Sequence, residues 1–128
     1  MSDVDVVRDI YAAMAGRDLE RLVELLDPAI VVTQDPVLPW GGRFVGHDGF
    51  ATFGLTLTST IDSAVEILAI YEVDGDVVQF GFTRGTVVAT GARFDVAEMH
   101  RWTIRDGRAV AAHFSIDNAT MLAALAVP

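Results

Sequence analysis

Phe94-Asp95-Val96-Ala97-Glu98-Met99-His100-Arg101-Trp102-Thr103-Ile104 is the stretch on which the fold turns. Phe94, Val96, Trp102 and Ile104 share one parity, while Asp95, Ala97, Met99, Arg101 and Thr103 share the other. A period of two sustained this long describes a β-strand with one face in a core. It exceeds the usual strand length of about five or six residues, so it bends and gives its sheet a concave side. Glu98 and His100 interrupt the apolar face at its middle. Isolated titratable groups in apolar surroundings mark a ligand site.

Working outward, Ser63–Glu72, Val77–Ala89 and Arg108–Asp117 are also β-rich, separated by Asp74-Gly75-Asp76, Thr90-Gly91-Ala92 and Asp106-Gly107. Asp-Gly between such runs signals a hairpin. With Thr90-Gly91-Ala92 as the loop, Arg84 faces Glu98 and Phe82 faces His100, which predicts a buried Arg84–Glu98 pair. On the other side, a two-residue Asp106-Gly107 turn sets His113 opposite His100. A three-residue turn with a bulge sets Ala112 there and sends His113 outward. Both registers are open.

The N-terminal half has a different period. Val4, Val7, Ile10, Tyr11 and Met14 recur at spacings of three and four between a Ser2/Asp5 capping pair and Gly16, an amphipathic helix. Asp18 caps a second helix carrying Leu19, Leu22, Val23 and Leu26, stopped by Asp27-Pro28. Ala29–Gln34 reads as a strand, Asp35–Gly46 as a long loop and His47–Leu57 as a third helix with Phe50, Phe53 and Leu57 on one side. Helices followed by a meander define an α+β domain in which helices cover one face of a curved antiparallel sheet and enclose an apolar pocket. The 128 residues are expected to form one domain.

Composition removes several functions. The chain has no cysteine, so thiolate chemistry and cysteine-ligated metals are excluded. Its charge of −9, without a single lysine, lacks the basic stripe that nucleic acid or an anionic membrane would need. Three histidines without ligand spacing predict no metal site, and no cofactor is expected. Met1-Ser2-Asp3-Val4-Asp5 carries acid where a signal peptide carries base, and no apolar run approaches a membrane span, so a cytoplasmic protein is expected.

Chemistry then falls to carboxylates, histidine and tyrosine. Asp35 follows the apolar run Ala29–Val32 and precedes Leu38-Pro39-Trp40-Gly41-Gly42, a place where a carboxylate is expected to be partly desolvated and so tuned toward a general base. Trp40, Phe53, Phe82 and Trp102 are candidates to line the cavity.

The helix pair, the strand ending Asp35-Pro36-Val37, the Pro39–Phe50 stretch opening a helix and the meander with Asp106-Gly107-Arg108 in its last hairpin together resemble the ketosteroid isomerase and SnoaL-type polyketide cyclase group of the nuclear transport factor 2-like superfamily. The resemblance spans nearly the whole chain and implies a cone-shaped α+β fold. It implies Asp35 as the base that shuttles a proton between carbons, and Tyr11, or Ile10 one position away, as the donor to an enolate oxygen. The second donor of the isomerases is an aspartic acid; here Met99 or His100 stands in its place, a departure from steroid isomerisation. In the cyclases a late aspartate is the base, which Ile116-Asp117-Asn118 resembles, so Asp117 is a second candidate. Arg84 with Glu98 is distantly similar to the Asp-Arg-Asp set of epoxide hydrolases on this scaffold. The implied function is a cofactor-independent acid–base enzyme on a small apolar carbonyl compound. The alternatives are a hydrolase or dehydratase, or a non-catalytic binding or dimerisation domain. A homodimer through the sheet is also implied, with Arg93, Asp95, Arg101 and Thr103 on the exposed face.

Overall fold

A computed structural model describes residues 1–128. The elements are α1 (Asp3–Ala15), α2 (Leu19–Leu25), β1 (Leu26–Gln34), β2 (Gly42–Val45), α3 (Gly46–Thr60), β3 (Ile61–Val73), β4 (Asp76–Val87), β5 (Arg93–Arg105), β6 (Arg108–Ile116) and α4 (Asn118–Leu125). The strands form one curved sheet in the order β2-β1-β6-β5-β4-β3, left open because β2 and β3 are its two edges. The α+β class and the cone shape are as expected. The sheet is mixed where an antiparallel one was expected: β1 runs parallel to β6, with Gln34 beside Phe114.

Local chemistry explains most boundaries. Ser2 and Asp5 form a full capping box on α1, and Asp18 accepts from the Arg21 N–H to start α2. Asp74-Gly75 and Asp106-Gly107 are two-residue hairpin turns in which both residues have positive φ, the geometry that matches strand twist. The expected loop Asp35–Gly46 hides β2, which pairs antiparallel with β1.

The meander registers differ from expectation. Residues 88–92 form the β4–β5 connection, with Thr86 paired to Arg93, Gln79 to His100 and Arg84 to Asp95. The offset is an odd number of residues, and the face of β4 inverts. Phe82 and Arg84 therefore lie on the outer face, where the Arg84 guanidinium stacks 4.9 Å from the Phe82 ring and pairs with Glu66 and Asp95. No Arg84–Glu98 pair exists, and the likeness to the epoxide hydrolase set goes with it. Between β5 and β6 neither expected register holds: the turn is two residues long, but a bulge at Val110, between the Ile104–Ala109 and Thr103–Ala111 pairs, places Phe114 opposite His100 and His113 opposite Arg101. His113 is exposed, 2.6 Å from the Thr33 hydroxyl.

The core lies between helices and concave face. Val6, Val7 and Ile10 of α1, Ile30 and Val32 of β1, and Val96 and Trp102 of β5 are at most 1% exposed. Burial on this scale, about 25 cal/mol per Å² of apolar surface, holds the layers together.

Candidate active site

β5 alternates without a break, so Phe94, Val96, Glu98, His100, Trp102 and Ile104 all point into the core. α1 brings Tyr11 against them. The Tyr11 hydroxyl accepts from the Trp102 indole N–H at 3.0 Å and from the Gln79 amide at 3.2 Å, and lies 2.7 Å from His100 Nδ1. A hydroxyl accepts two hydrogen bonds and donates one. Trp102 and Gln79 fill the two acceptor places, so the Tyr11 proton goes to His100 Nδ1. That fixes the neutral tautomer with the proton on Nε2, which faces Glu98 Oε2 at 3.3 Å.

The Glu98 side chain has no solvent exposure. It accepts from Gln79 Nε2 at 2.6 Å and from the Thr83 hydroxyl. Burial raises its pKa, opposed by the hydrogen bonds from Thr83 and Gln79. Burial also lowers His100 to about 3, with the nearby His113 adding to the shift, so the imidazole is neutral at physiological pH. The Tyr11 hydroxyl is raised by burial and stays protonated. The Gln79 amide nitrogen donates to Glu98 and Tyr11 and also lies 3.3 Å from His100 Nδ1, while its Oε1 is buried without a partner. Gly81, opposite Glu98 on β4, has to be glycine, because a Cβ there would run into the Glu66 carbonyl and Gln79 Oε1.

An apolar cavity of about 70 Å³ abuts this network, with Gln34, Trp40, Phe53, Thr83, His100 and Phe114 in its wall. That is roughly half the volume of the ~150 Å³ cavity that admits benzene, so a ring-sized ligand must push side chains aside. A wider surface groove of about 500 Å³ near Arg84 and Arg93 has Phe94 as its only apolar wall and lies apart from the network. No group of three His, Asp or Glu side chains converges to hold a metal ion.

The sequence candidates divide cleanly. Tyr11, Glu98, His100 and Trp102 form the network, and Trp40 and Phe53 line the cavity. Phe82, Arg84 and His113 are on the outer face. Asp35, expected to be partly desolvated, is exposed: Oδ1 accepts from the Val37 N–H at 2.9 Å and Oδ2 from the Asn118 amide at 3.0 Å. A carboxylate before proline makes such a turn readily, and here the turn drives Trp40, 1% exposed, into the core. Asp117 is exposed and caps α4, accepting from the Thr120 N–H and hydroxyl, bonds that lower its pKa. Gln34, Gln79, Thr83 and Phe114 were not foreseen. The parity of Ile30 and Val32 extends to Gln34, which was a signal available in the sequence.

Helices packed on the concave side of an open cone, with a polar network at the base of an apolar cavity, define a nuclear transport factor 2-like protein. The chain belongs to the SnoaL-like domain family, whose sequence model matches residues 7–112. An NTF2-like protein of unknown function from Burkholderia pseudomallei is 26% identical, with 99% of this chain and all of that one covered at a TM-score of 0.89. IdmH of Streptomyces antibioticus, a candidate polyketide cyclase, is 26% identical over 99% of this chain and 100% of its own at 0.80. A ketosteroid isomerase-like fold from Catenulispora acidiphila, solved with trimethylamine, is 16% identical over 96% and 93% at 0.81. No curated protein matches the chain. No helix is long and apolar enough to cross a membrane.

Proposed function

We propose that the protein is a cofactor-independent acid–base enzyme acting on a small apolar carbonyl compound, in the manner of an isomerase or cyclase, with Glu98 as base and His100 as donor. The observation that carries this reading is the buried line Tyr11–His100–Glu98 beside an apolar cavity. His100 Nε2 lies 3.3 Å from Glu98 Oε2 without forming a hydrogen bond to it, longer than the ~2.7–2.9 Å of a charge-assisted one, so Nε2–H is unspent. A ligand carbonyl oxygen takes that N–H, and the carboxylate removes a proton from the adjacent carbon. The C–H electron pair becomes the C=C bond of an enolate, and the carbonyl π pair moves to the oxygen, which Nε2–H holds. Return of the proton from Glu98 to another carbon isomerises the compound; attack by the enolate carbon on a second carbonyl breaks that C=O π bond and closes a ring, and the resulting alkoxide takes the proton back from Glu98. A preorganised donor of this kind is worth about 10²–10³ in rate, and a placed base about 10²–10⁴.

The test is conjugation of cyclohex-3-enone, followed by the absorbance of the product. Glu98→Gln should lose turnover, while Asp35→Asn and Asp117→Asn keep it within about threefold. Activity retained in Glu98→Gln and lost in Asp35→Asn would return the base to the Asp35 motif. A binding role without chemistry is the second reading, favoured by a network whose hydroxyl capacity is already filled; catalytic turnover by the wild type would exclude it.

The outer sheet face supports a homodimer. Leu68, Tyr71, Phe80 and Met99 are 61%, 57%, 41% and 37% exposed there, framed by the Arg84–Glu66, Arg84–Asp95 and Arg101–Asp76 pairs. An apolar patch rimmed by charge is the usual anatomy of an interface.

A further inference from the structure

Gln34 is 6% exposed and has one hydrogen bond through its side chain, from the Trp40 indole N–H to Oε1 at 3.1 Å. An indole nitrogen only donates, so this bond fixes which end of the amide is oxygen. The Gln34 nitrogen then faces away from Trp40. It makes no hydrogen bond within the protein, and it is not sealed off as Gln79 Oε1 is. Its residue lines the cavity. A buried side chain with an oriented and unspent donor is arranged for a ligand.

Its position relative to His100 gives the ligand's shape. Gln34 pairs with Phe114 across β1–β6, and Phe114 pairs with His100 across β5–β6. The three side chains form one row over the concave face, with the two donors on strands about 9–10 Å apart and an aromatic ring between them. His100 sits edge-to-face on that ring at 4.7 Å. Nothing in the row between the two donors is polar.

We infer that Gln34 is a specificity-determining residue and that the cavity selects a dicarbonyl compound, one oxygen on His100 Nε2–H and the other on the Gln34 amide, with the apolar body of the ligand over Phe114. Phe53, whose ring is 5.4 Å from that of Phe114, is displaced when a ring-sized ligand enters. The inference rests on the proposed site but not on its chemistry. A monoketone satisfies one donor and leaves the other buried and unpaired, which costs affinity.

The experiment is an NMR titration of the intact protein with cyclohexane-1,4-dione and with cyclohexanone, following the Trp40 and Trp102 indole signals. The wild type should bind the dione about tenfold more tightly than the monoketone. Gln34→Glu keeps an acceptor for Trp40 but replaces the donor, and should reduce the ratio to about one. Gln34→Leu should do the same, and covers the case in which the added carboxylate disturbs the fold. Equal binding of both ketones by the wild type, binding of neither, or a preference that survives in both variants would overturn the inference. Glu98→Gln run in parallel separates the two proposals: a dione preference that persists there while turnover is absent supports Gln34 independently of the base, and one that disappears there overturns it.

Discussion

The Tyr11 hydroxyl carries three hydrogen bonds to groups at most 8% exposed, so its removal does more than delete one contact. Tyr11→Phe leaves the buried Trp102 indole N–H without a partner and His100 Nδ1 with only the longer 3.3 Å contact to the Gln79 amide, and should cost about 2–3 kcal/mol in urea denaturation. Loss of less than about 1 kcal/mol would mean that water replaces the hydroxyl. His100 gives a pH signature. Its folded pKa is about 3 against an ordinary value of 6.5, so between those values the unfolded chain binds a proton that the folded chain refuses. Stability from this group is complete above 6.5 and declines as pH falls toward 3. The raised Glu98 acts with opposite sign, since it favours the folded state below the ordinary carboxylate pKa and loses that benefit as pH rises through its folded value. His100→Gln should flatten the decline in melting temperature between about pH 6.5 and 4; an unchanged slope would assign acid sensitivity to other groups.

At the scale of elements, β5 was legible because its alternation is local and unbroken, and it delivered Glu98, His100 and Trp102 to the core. The inner face of β4 was not. The connection 88–92 begins in residues that themselves look like strand, and the odd offset that follows exchanges Phe82 and Arg84 for Gln79 and Thr83. The parallel β1–β6 pairing joins segments about eighty residues apart, and no local pattern announces it. α3 has the weakest local claim to be helical. It has no side-chain N-cap, buries Phe53 alone, and holds Gly49, Gly54 and hydroxyl residues that bond back to their own helix. A Cβ at Gly54 meets nothing within 4 Å. Gly54→Ala should therefore stabilise the protein by about 0.5–1 kcal/mol, measured by thermal unfolding, and destabilisation would show that the helix needs its glycine for bending.

At the scale of the molecule, one sheet serves two purposes: its concave face holds the network, and its outer face presents Leu68, Tyr71, Phe80 and Met99. Phe80→Glu places a charge in that apolar band and should convert a dimer to a monomer in light scattering, leaving the Tyr11 network untouched on the other side. A monomeric wild type at micromolar concentration would remove the dimer proposal. The family and cone were legible in the sequence because turn chemistry and periodicity agree along the chain; the site was legible only where a strand's parity could be read without knowing its partner. The central claim is that the fold holds His100 neutral, with Nδ1 accepting from Tyr11 and Nε2–H offered to Glu98 and the cavity. Side-chain ¹⁵N NMR of the intact protein across pH tests it most directly. The expected result is a bare Nδ1 and a protonated Nε2 with no titration of His100 above about pH 4. A proton on Nδ1, or titration near 6.5, would contradict it.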